Sequence, residues 1–158
     1  MIILGIDPGL AITGWGVINN SSGQLRLVDF GVIRTAAGQS VSQRLNTLYR
    51  ELTAIIKQFA PDRVAVEELF FSKNVKTALV VGQARGVILL CAVRRHLPLA
   101  EYTPPQVKQA VAAYGKADKK QVQKMVKTLL NLKIVPQPDD AADALAIAIC
   151  AANSIKIH

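Results

Sequence analysis

Three features of the chain predict an α/β fold on a five-stranded mixed sheet, with helices on both faces. Three β-rich runs come first, separated by turns, and read as an antiparallel meander. Amphipathic helical patterns then alternate with two further strand-like runs. The closing segment is an apolar helix rich in alanine, small enough in cross-section to lie flat on a sheet. All three are visible in a chain of 158 residues that is 51% hydrophobic, enough apolar material for a core.

Residues 2–6 form a short β-branched apolar run that ends in Asp7 and the Pro8-Gly9 turn. Gly9 suits a φ > 0 turn, or a close approach of backbone to phosphate. Residues 13–18 read as a second strand antiparallel to the first, with glycines where the backbone passes closely. A polar turn over 19–24 leads to a third strand over 25–34. Leu45, Leu48, Leu52, Ile55, Ile56 and Phe59 then recur at helical spacing. Ser40 or Ser42 caps this helix and Pro61 marks its end. The fourth strand spans 63–69. A mostly apolar helix covers 75–95, with Gly82 and Gly86 four apart on one face. Glycine costs about 1 kcal/mol there against alanine. That cost implies close approach of another helix, within the core or across a dimer.

A fifth strand is read over 97–102. Thr103-Pro104-Pro105 opens a helix through 113 that carries Lys108, and Tyr114-Gly115 breaks it. A further helix begins near Lys116–Gln121, with Val122, Met125, Val126, Leu129 and Leu130 inward. With Asp118 as N-cap, Lys119 falls in the first turn, where the helix dipole disfavours a cation. That misfit hints at a functional placement. Pro136-Gln137-Pro138 is a rigid approach to the last helix.

The acids carry the chemistry. A carboxylate beside a buried strand is costly unless it is paired, hydrogen-bonded or bound to a cation, so Asp7 calls for partners. Of the chain's 11 acids, five lie in two other clusters, Glu67-Glu68 and Asp139-Asp140 with Asp143. Each cluster flanks a predicted core element, so the three sites form one acidic pocket. Hard oxygen donors of this kind suit Mg²⁺ or Mn²⁺. Successive strand residues alternate faces, so Glu67 and Glu68 do not both point at Asp7, and spacing leaves the choice open. Asp139 and Asp140 lie one turn from Asp143 on the same helix, and capping alone would account for those two. Asp143, on an otherwise apolar helix, is harder to dismiss.

The remaining composition narrows the partner. The net charge is +8, so a basic domain around an acidic pocket fits a polyanion such as nucleic acid. The Phe70-Phe71-Ser72-Lys73 stretch at the pocket mouth offers aromatics to stack on or wedge between bases, one ring outward and one inward. Lys116, Lys119 and Lys120 open the densest basic region; Lys124 and Lys127 read as a solvated face. Two cysteines 59 positions apart, with no metal spacing, point to buried thiols in a reducing cytoplasm. With only two histidines, His96 and His158, a histidine metal site or a Ser-His-Asp triad has little to draw on. The apolar helix is interrupted by Gln83 and Arg85, so no membrane partner is expected.

The order of elements and acids resembles the ribonuclease H-like fold. More closely, the chain resembles the RuvC family of Holliday junction endodeoxyribonucleases. The resemblance rests on Gly5-Ile6-Asp7-Pro8-Gly9 with Thr13-Gly14, on Glu67 with Phe70 and Lys73-Asn74, and on Gly82-Gln83-Ala84-Arg85-Gly86. It continues through Gln106-Val107-Lys108-Gln109, Lys119 with Gln121-Val122-Gln123, and Asp140-Ala141-Ala142-Asp143-Ala144-Leu145-Ala146. One departure is the wholly apolar Leu10-Ala11-Ile12, where relatives often carry a polar or basic residue.

The resemblance implies that Asp7, Glu67, Asp140 and Asp143 are the catalytic, magnesium-binding acids, and so selects Glu67 over Glu68 and Asp140 over Asp139. It implies that Phe70 disturbs base stacking and that Lys108 and Lys119 lie near the scissile phosphate; Lys73, beside the aromatics, and Lys116 and Lys120, in the densest basic region, are expected on the DNA from their own placement. It further implies a cytoplasmic homodimer that nicks four-way junctions symmetrically in homologous recombination and DNA repair, beside a branch-migration motor. Residues 1–158 would be one nuclease domain. Hydrolysis would use two Mg²⁺ per subunit, about 4 Å apart, with Mn²⁺ as substitute. Two rivals remain, an RNA-processing nuclease of the same fold and a junction-binding protein without catalysis; a third, a fragment of an actin-like ATPase, would need a second, similar half for which 158 residues leave no room.

Overall fold

The computed structural model describes residues 1–68 and 74–155. Strands β1 (Ile2–Asp7), β2 (Ile12–Ser21) and β3 (Gln24–Arg34) form the expected meander. Helix α1 (Val41–Phe59), strand β4 (Arg63–Glu67), helix α2 (Val75–Arg94) and strand β5 (Leu99–Tyr102) follow. Helices α3 (Pro104–Ala112), α4 (Lys119–Leu129) and α5 (Asp139–Ser154) complete the chain. The sheet order is β3-β2-β1-β4-β5, with β4 and β5 parallel to β1.

Side-chain alternation divides the core into two layers. Leu4, Ile6, Val17, Val64 and Val66 face α1 and α2. Ile3, Ile18 and Ala65 face the opposite side, where α5 lies with α3 and α4 behind it. Helix α5 is buried almost throughout: Leu145, Ile147 and Ile149 are at most 1% exposed. Burial of each such side chain stabilises by about 1.5–3 kcal/mol.

The alanines of α5 and the glycines of β1 and β2 together permit this depth. A Cβ on Gly5 would stand 2.2 Å from the Ala144 carbonyl, and one on Gly14 would stand 1.9 Å from the Asp140 carbonyl. Backbone thus meets backbone where the first turn of α5 crosses the start of β2.

Capping explains most boundaries. Ser40 caps α1 in a box with Gln43, which leaves Ser42 inside the helix. Thr103 with Gln106 does the same for α3, and Asp118 with Gln121 for α4. The last of these starts α4 at Lys119, later than Lys116. Strand β5 starts at Leu99, two residues later than expected, because residues 95–97 complete the turn after α2. Strand β4 ends at Glu67; the expected continuation to 69 enters the stretch outside the described residues.

Helix α2 needs a correction. It has the length and hydropathy of a membrane-crossing helix despite Gln83 and Arg85. Its Ala84, Ile88, Cys91 and Ala92 are nevertheless packed against the sheet and α1. Among the described residues no helix approaches Gly86, since a Cβ there would meet nothing within 4 Å.

Candidate active site

The sheet parity that builds the two cores also places the acids. Gly5 and Ala65 are register partners in the parallel β1–β4 pair, and Ile6 and Val66 follow. One residue further, Asp7 and Glu67 end the two strands side by side, on the face that carries α5. Glu68 has the opposite parity and is exposed. On the other side of β1, Asp7 pairs with Gly14, the glycine that touches the backbone of Asp140. Asp143 lies one helical turn beyond Asp140 on α5. Four acids distant in sequence thus meet at the carboxyl ends of β1 and β4.

Their proximity shapes the electrostatics. Burial pushes the Asp7 carboxyl up to about 8 from 3.8, and the charges of Asp143, Glu67 and Asp140 add to the rise. Lys119 offsets it in part. Glu67 is raised by burial and then by Asp143, against the opposing charge of Lys108. Asp143 is raised by burial, although the Lys119 ammonium beside it pulls the other way. Such a cluster of half-buried carboxylates is unstable when all are ionised, and a divalent cation relieves it.

A cleft of about 280 Å³ opens here, lined by Glu67, Lys108, Lys119 and Asp143 among others. Asp7 is not part of this lining. Lys108 projects from α3, while Lys116 and Lys120 are exposed. Phe70, Phe71 and Lys73 lie outside the described residues.

The donor set fits a hard cation: four carboxylates and no soft ligand. As the side chains stand, no three Asp, Glu, His or Cys among the described residues are close enough to hold one ion. Part of the reason is visible. The Lys119 ammonium lies 3.5 Å from an Asp143 oxygen and 3.4 Å from an Asp139 oxygen. The lysine side chain is 56% exposed, so this pair is displaceable.

Several contacts around the site had no clear sequence signal. The turn after Asp7 is tied at three successive carbonyls. Thr13 Oγ1 donates to Gly9 O, Thr35 Oγ1 donates to Leu10 O at 2.6 Å, and Thr35 N donates to Ala11 O at 3.1 Å. Arg44 Nε holds the Thr35 hydroxyl at 2.8 Å. Arg85 pairs with Glu101 at 2.7 Å, and its Nε reaches the Glu67 carbonyl at 3.4 Å. The sequence hinted only at Lys119, a cation in the dipole-disfavoured first turn of α4.

Comparison with known proteins gives one consistent family. The model of the family described as crossover junction endodeoxyribonuclease RuvC matches residues 3–151. A crossover junction endodeoxyribonuclease RuvC of Alkaliphilus oremlandii is 58% identical over 154 residues, covering 98% of this chain and 94% of that one. Its counterpart in Ruminiclostridium cellulolyticum is 54% identical over 157 residues, covering 99% and 95%. Among solved structures, T. thermophilus RuvC in complex with Holliday junction substrate superposes with a TM-score of 0.89 at 36% identity. That match covers 97% of this chain and 94% of the other. The ribonuclease H-like fold expected from the sequence is the fold of this chain.

Proposed function

The chain belongs to the RuvC family of crossover junction endodeoxyribonucleases, and on that premise we propose that it cuts four-way DNA junctions by paired symmetric nicks in recombination and repair. The observation that carries this reading is the side-by-side ending of Asp7 and Glu67 beneath Asp140 and Asp143.

In this reading Asp7, Glu67, Asp140 and Asp143 hold Mg²⁺, two ions per subunit, with Mn²⁺ able to substitute. Bound there, the metal supplies an activated water and charge stabilisation for the leaving oxygen. The protein's own groups do the rest. The fixed Gly9–Ala11 turn keeps Asp7 from swinging away. Lys108 and Lys119, on the cleft lining, face the phosphate and offset the charge that develops on it. Lys116 and Lys120 extend the basic surface along the DNA, and Phe70 and Lys73 contact it near the crossover.

Homodimerisation is supported by α2. Val75, Leu79, Leu90 and Val93 are 50–70% exposed and share one face with Gly86, where no Cβ interrupts the surface. Exposed apolar stripes of this kind mark protein contacts. Residues 1–158 are taken as one nuclease domain because a single sheet carries both cores. Work with a branch-migration motor is proposed on family membership. Residence in the cytoplasm is proposed from Cys91 and Cys150, both buried and unpaired.

The test is cleavage of a strand-labelled synthetic four-way DNA junction, with and without Mg²⁺, by the wild type and Asp7→Asn. The wild type cuts only with the metal, and the variant binds the junction but does not cut. Normal cleavage by the variant would remove Asp7 from the mechanism. Preference for structured RNA would replace the reading with that of an RNA-processing nuclease.

A further inference from the structure

Asp139 sits outside the four proposed metal ligands, at the first position of α5, where capping alone would explain an acid. Its contacts are more specific than capping requires. One carboxylate oxygen accepts from the Gln123 amide at 3.0 Å, and the other lies 3.4 Å from the Lys119 ammonium. Gln123 and Lys119 are four apart on α4, so both reach the same carboxylate from one helix face. The ammonium is nearly midway between Asp139 and Asp143, at 3.4 and 3.5 Å.

We propose that Asp139 is a positioning residue which, oriented by Gln123, holds Lys119 at the rim of the cleft and keeps it from closing fully onto Asp143. This rests on the proposed role of Lys119 toward substrate phosphate. A lysine more than half exposed has many rotamers, and one anchor on Asp143 would make it a direct competitor for the cation at that carboxylate. A second anchor divides the ion pair. It leaves the ammonium between the metal ligands and the solvent, where the phosphate arrives. It also accounts for a lysine at the dipole-disfavoured start of α4, since two carboxylates on α5 offset the cost.

A cycle of variants on the full-length protein tests this. Asp139→Asn, Gln123→Leu, Lys119→Met and Asp139→Asn with Lys119→Met are compared in two measurements. One is single-turnover cleavage of a four-way DNA junction. The other is Mn²⁺ binding to the DNA-free protein by calorimetry. Asp139→Asn is expected to slow cleavage and weaken Mn²⁺ binding by about threefold to fivefold, the range of one exposed ion pair. Gln123→Leu does the same in the same direction. In the Lys119→Met background both effects of Asp139→Asn disappear.

Equal losses with and without Lys119 would mean that Asp139 acts on the metal directly, and would overturn the proposal. So would Asp139→Asn behaving as wild type. If Lys119→Met cuts normally, the positioning role goes with the lysine's, while loss of cleavage in Asp7→Asn still upholds the nuclease reading.

Discussion

Asp7 is held where an ionised carboxylate is least comfortable. Burial raises its pKa to about 8, and three neighbouring acids push the same way. The unfolded chain releases this proton near 3.8, while the metal-free native state keeps it to about 8. In that window the native state binds more protons, so stability falls as pH rises from about 4 to about 8 and levels off above. Asp7→Asn removes the titration. In metal-free buffer at pH 8 or above the variant is therefore expected to be more stable than wild type by at least about 1 kcal/mol, or about 2–4 °C in Tm for a chain of this length. Near pH 4 the difference vanishes. Thermal melts of both proteins across this range check it, and parallel pH profiles would refute it. Saturating Mg²⁺ is expected to raise the wild-type Tm and to raise that of Asp7→Asn much less.

Helix α5 and the β1–β2 pair work as one element, because the acids of the helix are positioned by its contact with glycines of the strands. Gly14 is the tightest point: any side chain there overlaps the Asp140 carbonyl. Gly14→Ala must lift the first turn of α5. Overpacking of this kind costs about 1–3 kcal/mol. The same lift draws Asp140 and Asp143 away from Asp7. Denaturant midpoint and junction cleavage should therefore fall together, with cleavage losing more than stability explains. Retained cleavage with a lower midpoint would separate the packing from the site.

Across the whole molecule, two surfaces differ sharply. One carries the cleft and the lysines of α3 and α4; the other is the apolar face of α2. Leu79→Glu together with Val93→Glu places two charges on that face, where neither touches the buried core. Sedimentation is expected to show a monomer with an unchanged fold, and paired nicks on one junction should become independent single nicks. A dimer that survives both substitutions would place the contact elsewhere. The net charge of +8 also implies that junction affinity weakens steeply with salt.

Much of this was readable from local pattern, because local pattern is what alternation, capping and helical spacing express. The meander, the five strands and the start of α5 follow from residues within a few positions of one another. Asp7 announced itself as a carboxylate at the end of a buried run. Glu67 against Glu68 was ambiguous in isolation, since parity is relative: it needs the β1–β4 register, which pairs Ile6 with Val66. The open space at Gly86 was likewise invisible, since it depends on what does not pack there, whereas Asp118 as the cap that starts α4 at Lys119 was readable locally. The division of Lys119 between Asp139 and Asp143 arises where α4 meets α5, twenty residues apart in sequence. No short-range signal encodes such a contact, because its strength depends on distances that exist only after the two cores close on the sheet.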